Sequence, residues 1–126
     1  MKLCIDPGHG YANRRGGVYD SGATVGNFTE ADIVLNVALA GRWIAREYGI
    51  PVFLTRDDDS DSTPVGSRDD KAEQAGCTHF VSLHCNEASG NATGTETYYS
   101  DGGDRAWAST VQACALTAWD LRDRKI

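Results

Sequence analysis

Leu3-Cys4-Ile5-Asp6-Pro7-Gly8-His9-Gly10 is a short apolar run, stopped by Pro-Gly and followed at once by a histidine. It reads as a buried strand from Lys2 to Asp6 that breaks sharply, with His9 in the turn beyond its end. A second run, Phe80-Val81-Ser82-Leu83-His84-Cys85-Asn86, finishes the same way. In an open α/β sheet, ligands bind outside the carboxyl ends of the strands. Two strand-end histidines can therefore meet in space although they lie far apart in sequence. Glu30 opens a predicted helix, where the helix dipole alone favours a carboxylate by ~0.3–1 kcal/mol. The long loop before it delivers that helix start to the same edge. His9, Glu30 and His84 then make a three-ligand set with an open fourth position, the pattern of a hydrolytic rather than a structural zinc.

The rest of the chain supports an alternating order of strand and helix. Residues 9–27 read as one long loop with five glycines (Gly10, Gly16, Gly17, Gly22 and Gly26). A loop of this length in a compact domain is usually functional or mobile. Thr29 with Asp32 fits a capping box. Ile33, Val34, Val37, Ala38, Trp43 and Ile44 recur near helical spacing, and Gly49 with Pro51 closes the helix near Tyr48. Val52–Thr55 reads as a strand, 56–64 as an acidic loop, Val65–Ala75 as a helix ended by Gly76, and Thr78–Leu83 as a strand. A polar loop over 86–93, a strand over Thr95–Tyr99, a turn at 101–104 and a helix over Arg105–Trp119 complete the chain. This order implies a mostly parallel sheet covered on both faces. No internal repeat or low-complexity segment is visible.

The chain has 126 residues, enough for one domain with a genuine core, and its 40% hydrophobic and 24% charged content is that of a globular protein. A formal net charge of -6 leaves no basic stripe to neutralise phosphates, which argues against nucleic acid and against an anionic membrane surface. No apolar run approaches the roughly 20 residues of a membrane span. Met1 leads directly into the first strand without an apolar leader region, so cytoplasmic synthesis without a signal peptide is expected. Cys4, Cys77, Cys85 and Cys114 form no C-x-x-C pair and read as free thiols, with Cys4 and Cys85 as small buried hydrophobes.

Several residues invite a functional reading that their context weakens. His79 opens the strand that His84 closes, about 16 Å away at ~3.3 Å per residue, and takes no metal role. Arg56 reads as structural, a partner for Asp57, Asp69 or Asp70. The acidic stretch 57–61 lacks the ordered spacing of a calcium loop and reads as solvated. Trp43, Trp107 and Trp119 read as core residues on helix faces. Asn86, two residues past His84, is a candidate substrate contact.

Taken together, six stretches resemble the zinc-dependent N-acetylmuramoyl-L-alanine amidase family of the Amidase_3 type. They are Ile5-Asp6-Pro7-Gly8-His9-Gly10, Asp20-Ser21-Gly22-Ala23, Thr29-Glu30-Ala31-Asp32 running to Leu35-Asn36, Leu54-Thr55-Arg56-Asp57, Ser82-Leu83-His84-Cys85-Asn86 and Gly94-Thr95-Glu96-Thr97-Tyr98-Tyr99. They cover nearly the whole chain. The resemblance implies a single-domain α/β fold, a twisted sheet with helices on both faces (phosphorylase/hydrolase-like). It implies Zn2+ held by His9, Glu30 and His84, and peptidoglycan as substrate. The reaction would be hydrolysis of the amide between N-acetylmuramic acid and L-alanine, with zinc polarising the carbonyl.

The chain departs from the family at its end. The family's second functional glutamate lies on a last strand reading V-E-x-G-F, and this sequence closes on Leu121-Arg122-Asp123-Arg124-Lys125-Ile126. A sheet lacking its C-terminal strand is therefore expected, with the acid/base glutamate beyond Ile126 and Glu96 as the stand-in within a strand-like motif. Such an amidase catalytic domain, spanning 1–126 and shortened at its C-terminus, would be a monomer prone to self-association through an unpaired edge. An endolysin-like lytic enzyme of a phage or prophage fits the missing leader better than a secreted autolysin. The alternatives are an amidase-like zinc domain that binds peptidoglycan without efficient catalysis, and a zinc peptidase acting on wall stem peptides.

Overall fold

The computed structural model describes residues 1–88, 92–100 and 103–126. The chain divides into two compact units, Met1–Glu87 and Ala88–Ile126.

In the first unit, β1 (Leu3–Pro7) leads into two small hairpins. β2 (Gly10–Tyr11) pairs antiparallel with β3 (Tyr19–Asp20), and β4 (Thr24–Val25) with β5 (Phe28–Thr29). The stretch expected as one long loop is thus pinned twice by short ladders. Its glycines hid these two-residue strands, which are too short to show alternation.

Helix α1 (Glu30–Glu47) starts where the capping signal placed it: the Thr29 hydroxyl accepts from the Asp32 N–H at 3.1 Å. It ends in a Schellman arrangement, with Gly49 at φ +68°, its N–H on the Arg46 carbonyl and the Ile50 N–H on that of Ala45. β6 (Val52–Leu54) follows, then a 3-10 turn at Val65–Ser67, helix α2 (Arg68–Gln74) and β7 (His79–Leu83). The predicted second helix is thus split into a 3-10 turn and two α-helical turns.

The sheet is parallel in the order β6-β1-β7, with Ile5 opposite both Leu54 and Val81. β1 is central and buried along its length after Leu3. Its odd-numbered side chains pack under α1, where Ile5, Ala38 and Leu54 form a core flanked by Leu3, Leu39, Val52, Val81 and Leu83. On the other face Asp6 pairs with Arg68 of α2 at 2.7 Å. Helices therefore serve both faces of this sheet.

Trp43 is exposed, as are Ile33, Val37 and Ile44, while Val34, Leu35 and Ala38 are buried. α1 carries apolar residues on two opposite faces, and periodicity alone does not say which one meets the sheet. The core role expected for Trp43 is thereby corrected.

In the second unit, α3 (Arg105–Ala118) is capped by the Asp104 carboxylate, which accepts from the Trp107 N–H at 3.0 Å. The expected strand over 95–99 is a single parallel bridge between Thr95 and Asp123. Buried Gln112 holds this region together, bonding Thr97, the Thr95 carbonyl and Asp123 at 2.8–2.9 Å. Trp119, expected in the core, is exposed just past the end of α3. Residues 89–91 of the predicted polar loop and 101–102 of the predicted turn lie outside the described residues. Among the described residues, no helix is long and apolar enough to cross a membrane.

Candidate metal centre

Three elements bring the site together. The chain leaves β1 through Pro7-Gly8, and His9 takes a left-handed backbone at φ +63°, uncommon for a side chain of this size. Two buried arginines hold that turn. Arg56 donates to the carbonyls of Pro7, Gly8 and Ala31 at 2.7–3.1 Å. Arg68 donates to those of Pro7 and His9 at 2.9 and 2.7 Å. Asp6 accepts from Arg68, Ser82 and Thr55, which ties the end of β1 to α2, β7 and the segment after β6. The carboxylate partner of Arg56 is Asp59 at 3.4 Å, rather than Asp57, Asp69 or Asp70.

Glu30 is the first residue of α1 and is buried. Its Oε2 accepts from the Ala23 N–H at 2.9 Å, and its Oε1 from the Cys85 N–H at 2.8 Å. His9 Nε2 lies 3.0 Å from Oε2, and His84 Nδ1 lies 2.9 Å from Oε1. Burial pushes this carboxyl up, but the two N–H groups and the two rings outweigh it and leave its pKa lowered. Glu30 is thus a carboxylate in this site, able to hold a cation. The neighbouring Cys85 thiol is pushed up by burial and then by Glu30.

One ligand atom from each of His9, Glu30 and His84 lies within 4.8 Å of the others. The His9–Glu30 and His84–Glu30 contacts of 3.0 and 2.9 Å and the nitrogen–oxygen donor set are of the kind that a zinc ion takes. The two rings meet edge to face at 5.0 Å between centroids. The His84 side chain is about half exposed, so the cluster opens to solvent on that side.

Two glycines make this approach possible. A Cβ on Gly8 would run into the His84 ring, 2.6 Å from Nε2. A Cβ on Gly22 would lie 2.6 Å from Glu30 Oε2 and 2.7 Å from His9 Cδ2, and Gly22 is also left-handed at φ +66°.

A cavity of about 490 Å³ runs from the two histidines past Asn13, Arg14, Asp69 and Phe80. Asn86 lies exposed in the segment after β7. Glu96 belongs to the second unit, where Arg124 donates to it at 2.9 Å. His79 sits at the start of β7, opposite Leu3 and at the far end of the strand from His84.

Asp20 escaped attention as a single residue, although it heads the Asp20-Ser21-Gly22-Ala23 stretch. Its Oδ2 lies 3.2 Å from His9 Nδ1 but is not aligned as a hydrogen bond, and Nδ1 is buried with no directed partner. Burial pushes the Asp20 carboxyl up, yet hydrogen bonds from Asn13 and Gly22, with the His9 ring close by, bring its pKa down to about 2. Asn13, Arg68 and the two backbone N–H groups on Glu30 gave no signal in the sequence.

The N-acetylmuramoyl-L-alanine amidase family model (Amidase_3) matches residues 3–126. The chain is 36% identical over 129 aligned residues to a sporulation-specific N-acetylmuramoyl-L-alanine amidase of Bacillus subtilis (strain 168). That alignment covers 98% of this chain and 47% of the relative, so the chain spans about half the length of such curated relatives. Among solved structures it is similar to the catalytic domain of CwlV, an amidase of Bacillus (Paenibacillus) polymyxa var. colistinus. There the TM-score is 0.84 at 34% identity, covering 100% of this chain and 69% of that one. It is also similar to the amidase AmiC2 of Nostoc punctiforme, with TM-score 0.82 at 33% identity, covering 99% and 67%. With the family model matching almost end to end, the chain belongs to the N-acetylmuramoyl-L-alanine amidase family.

Proposed function

We propose that His9, Glu30 and His84 hold a zinc ion with which this chain hydrolyses the amide between N-acetylmuramic acid and L-alanine in peptidoglycan. The observation that carries the reading is the convergence of these three donors within 4.8 Å beside an open cavity. Family membership supplies the substrate class.

A zinc ion there would act as a Lewis acid toward the scissile carbonyl and activate the attacking water. Both oxygens of Glu30 are engaged by backbone N–H groups and by the histidines, so it serves to hold the ion rather than to shuttle protons. The half-exposed His84 side marks where the carbonyl approaches, and the cavity past Arg14 and Phe80 takes the adjoining part of the wall polymer. Asn86, exposed two residues past His84, is the substrate contact in this reading. In the reaction the C–N bond breaks, water gives its hydroxyl to the lactyl carbonyl, and the L-alanine amine leaves with a proton. That proton requires an acid, a role for which Glu96 is only a stand-in. The cell wall is the site of action, in the manner of a phage lysin or an autolysin.

The engagement of Glu96 by Arg124 favours a second reading, a zinc domain that holds peptidoglycan without cleaving it efficiently. Purified wall incubated with the chain separates the two. Hydrolysis releases new L-alanine amino termini, with one zinc per chain. His9→Ala should lose the zinc and lower that release by about 100-fold or more. Retention of both zinc and cleavage in His9→Ala would overturn the proposal. Zinc and wall binding without new termini would establish the second reading, and new termini at other stem-peptide residues would mean a peptidase.

A further inference from the structure

We propose that Arg68, Asn13 and Asp20 form one positioning relay that fixes the ring of His9 from the side away from Glu30. The inference rests on His9 being a metal ligand, as argued above. Arg68, buried at the start of α2, donates from Nη2 to Asn13 Oδ1 at 2.9 Å. Asn13, buried in the segment after β2, donates from Nδ2 to Asp20 Oδ2 at 2.6 Å. The same Oδ2 lies 3.2 Å from His9 Nδ1. The other Asp20 oxygen is taken by the Gly22 N–H at 3.0 Å, and Arg14 Nε stands 3.4 Å from Oδ2.

Donor and acceptor chemistry allows one direction along this chain. A guanidinium only donates and an ionised carboxylate only accepts, so the Asn13 amide between them must point its oxygen at Arg68 and its nitrogen at Asp20. Asp20 then offers His9 an acceptor. The relay thus assigns the proton of a neutral His9 ring to Nδ1 and leaves the Nε2 lone pair toward Glu30 Oε2 at 3.0 Å. In that tautomer Nε2 and Oε2 are both acceptors, an arrangement that a bound cation would satisfy. Arg68 reaches the same residue a second time, through the His9 carbonyl at 2.7 Å. One guanidinium thus holds the left-handed backbone of His9 directly and, through Asn13, the Asp20 carboxylate that stands beside its ring. Outer partners of this kind set ligand tautomer and orientation, and their loss typically weakens metal binding about 10–100-fold.

The test uses the full chain and has two readouts. Nitrogen-15 NMR of the metal-free protein should show the neutral His9 ring protonated at Nδ1, shifting toward the other tautomer in Asp20→Asn. Competition with a chromophoric chelator should show zinc affinity weakened about 10–100-fold in Asp20→Asn and less in Asn13→Ala. The double variant should be no weaker than Asp20→Asn alone, because serial members of one relay are not additive. Amide spectra matching the wild type outside the site identify variants that fold. The relay is overturned by an Nε2-protonated His9 in the wild type, by affinities within about twofold of wild type, or by additive losses. A wild type that takes up no zinc, yet shows the Nδ1 tautomer and its shift in Asp20→Asn, supports the relay and sinks the metal reading instead.

Discussion

Arg56 has no exposed side-chain surface, and its donors go to three backbone carbonyls and to Asp59. Those carbonyls belong to the turn that carries His9 and to the second residue of α1. Replacing Arg56 by Met would leave buried acceptors without donors, at about 1–3 kcal/mol each before relaxation. We expect a net loss of about 3–5 kcal/mol, read as a lower urea midpoint. Lys should not restore it, because one ammonium cannot reproduce a planar fork spread over several acceptors. An unchanged midpoint in either variant would contradict this account. The sequence offered Arg56 only as a partner for nearby carboxylates. Carbonyl groups leave no mark in a sequence, so its principal partners were invisible there. The clustering of His9 and His84 was legible for the opposite reason: histidines after strand ends are rare enough to stand out, and parallel topology places them together.

Helix α1 shows what local chemistry decides and what it does not. Its start was legible because one hydroxyl satisfies one orphan N–H, a purely local matter. Thr29→Ala should cost about 1 kcal/mol, measurable as a lower melting temperature. Because Glu30 is the next residue, the same change should also loosen the carboxylate that the three-donor cluster needs. A variant with wild-type stability would mean that neighbouring contacts, not the cap, set the helix start. The helix end was equally legible, since Gly49 and Pro51 act locally. The inward face was not legible. Ile33, Val37 and Ile44 obey the helical period as well as Val34 and Ala38 do, and only packing on β1 and β6 separates them. The two-residue hairpins and the bridge at Thr95 went unread because their partners are chosen by register, not by a run of residue types.

At the scale of the first unit, His9, Glu30 and His84 come from three segments spread over most of its length. An ion bound only by the folded form stabilises it by RT ln(1 + [L]/Kd), about 2.7 kcal/mol at a hundredfold excess over Kd. The melting temperature should therefore climb steadily with added zinc and return to its starting value with chelator. The same titration should have no effect on a chain in which His84 is replaced by Ala. A zinc-independent melting temperature in the unaltered chain would remove the ion from the fold's energetics. The overall layout, alternating elements around a parallel sheet, was legible because it follows from element order alone. The close fit around the donors was not, since it depends on space left empty at Gly8 and Gly22. That emptiness bears on how a saturation-mutagenesis map of this protein is to be understood. Positions 8 and 22 will score among the least tolerant beside the three donors themselves, although neither glycine contributes a donor atom. Intolerance there measures clearance, and ranking residues by sensitivity alone would mistake the walls of the site for its donors.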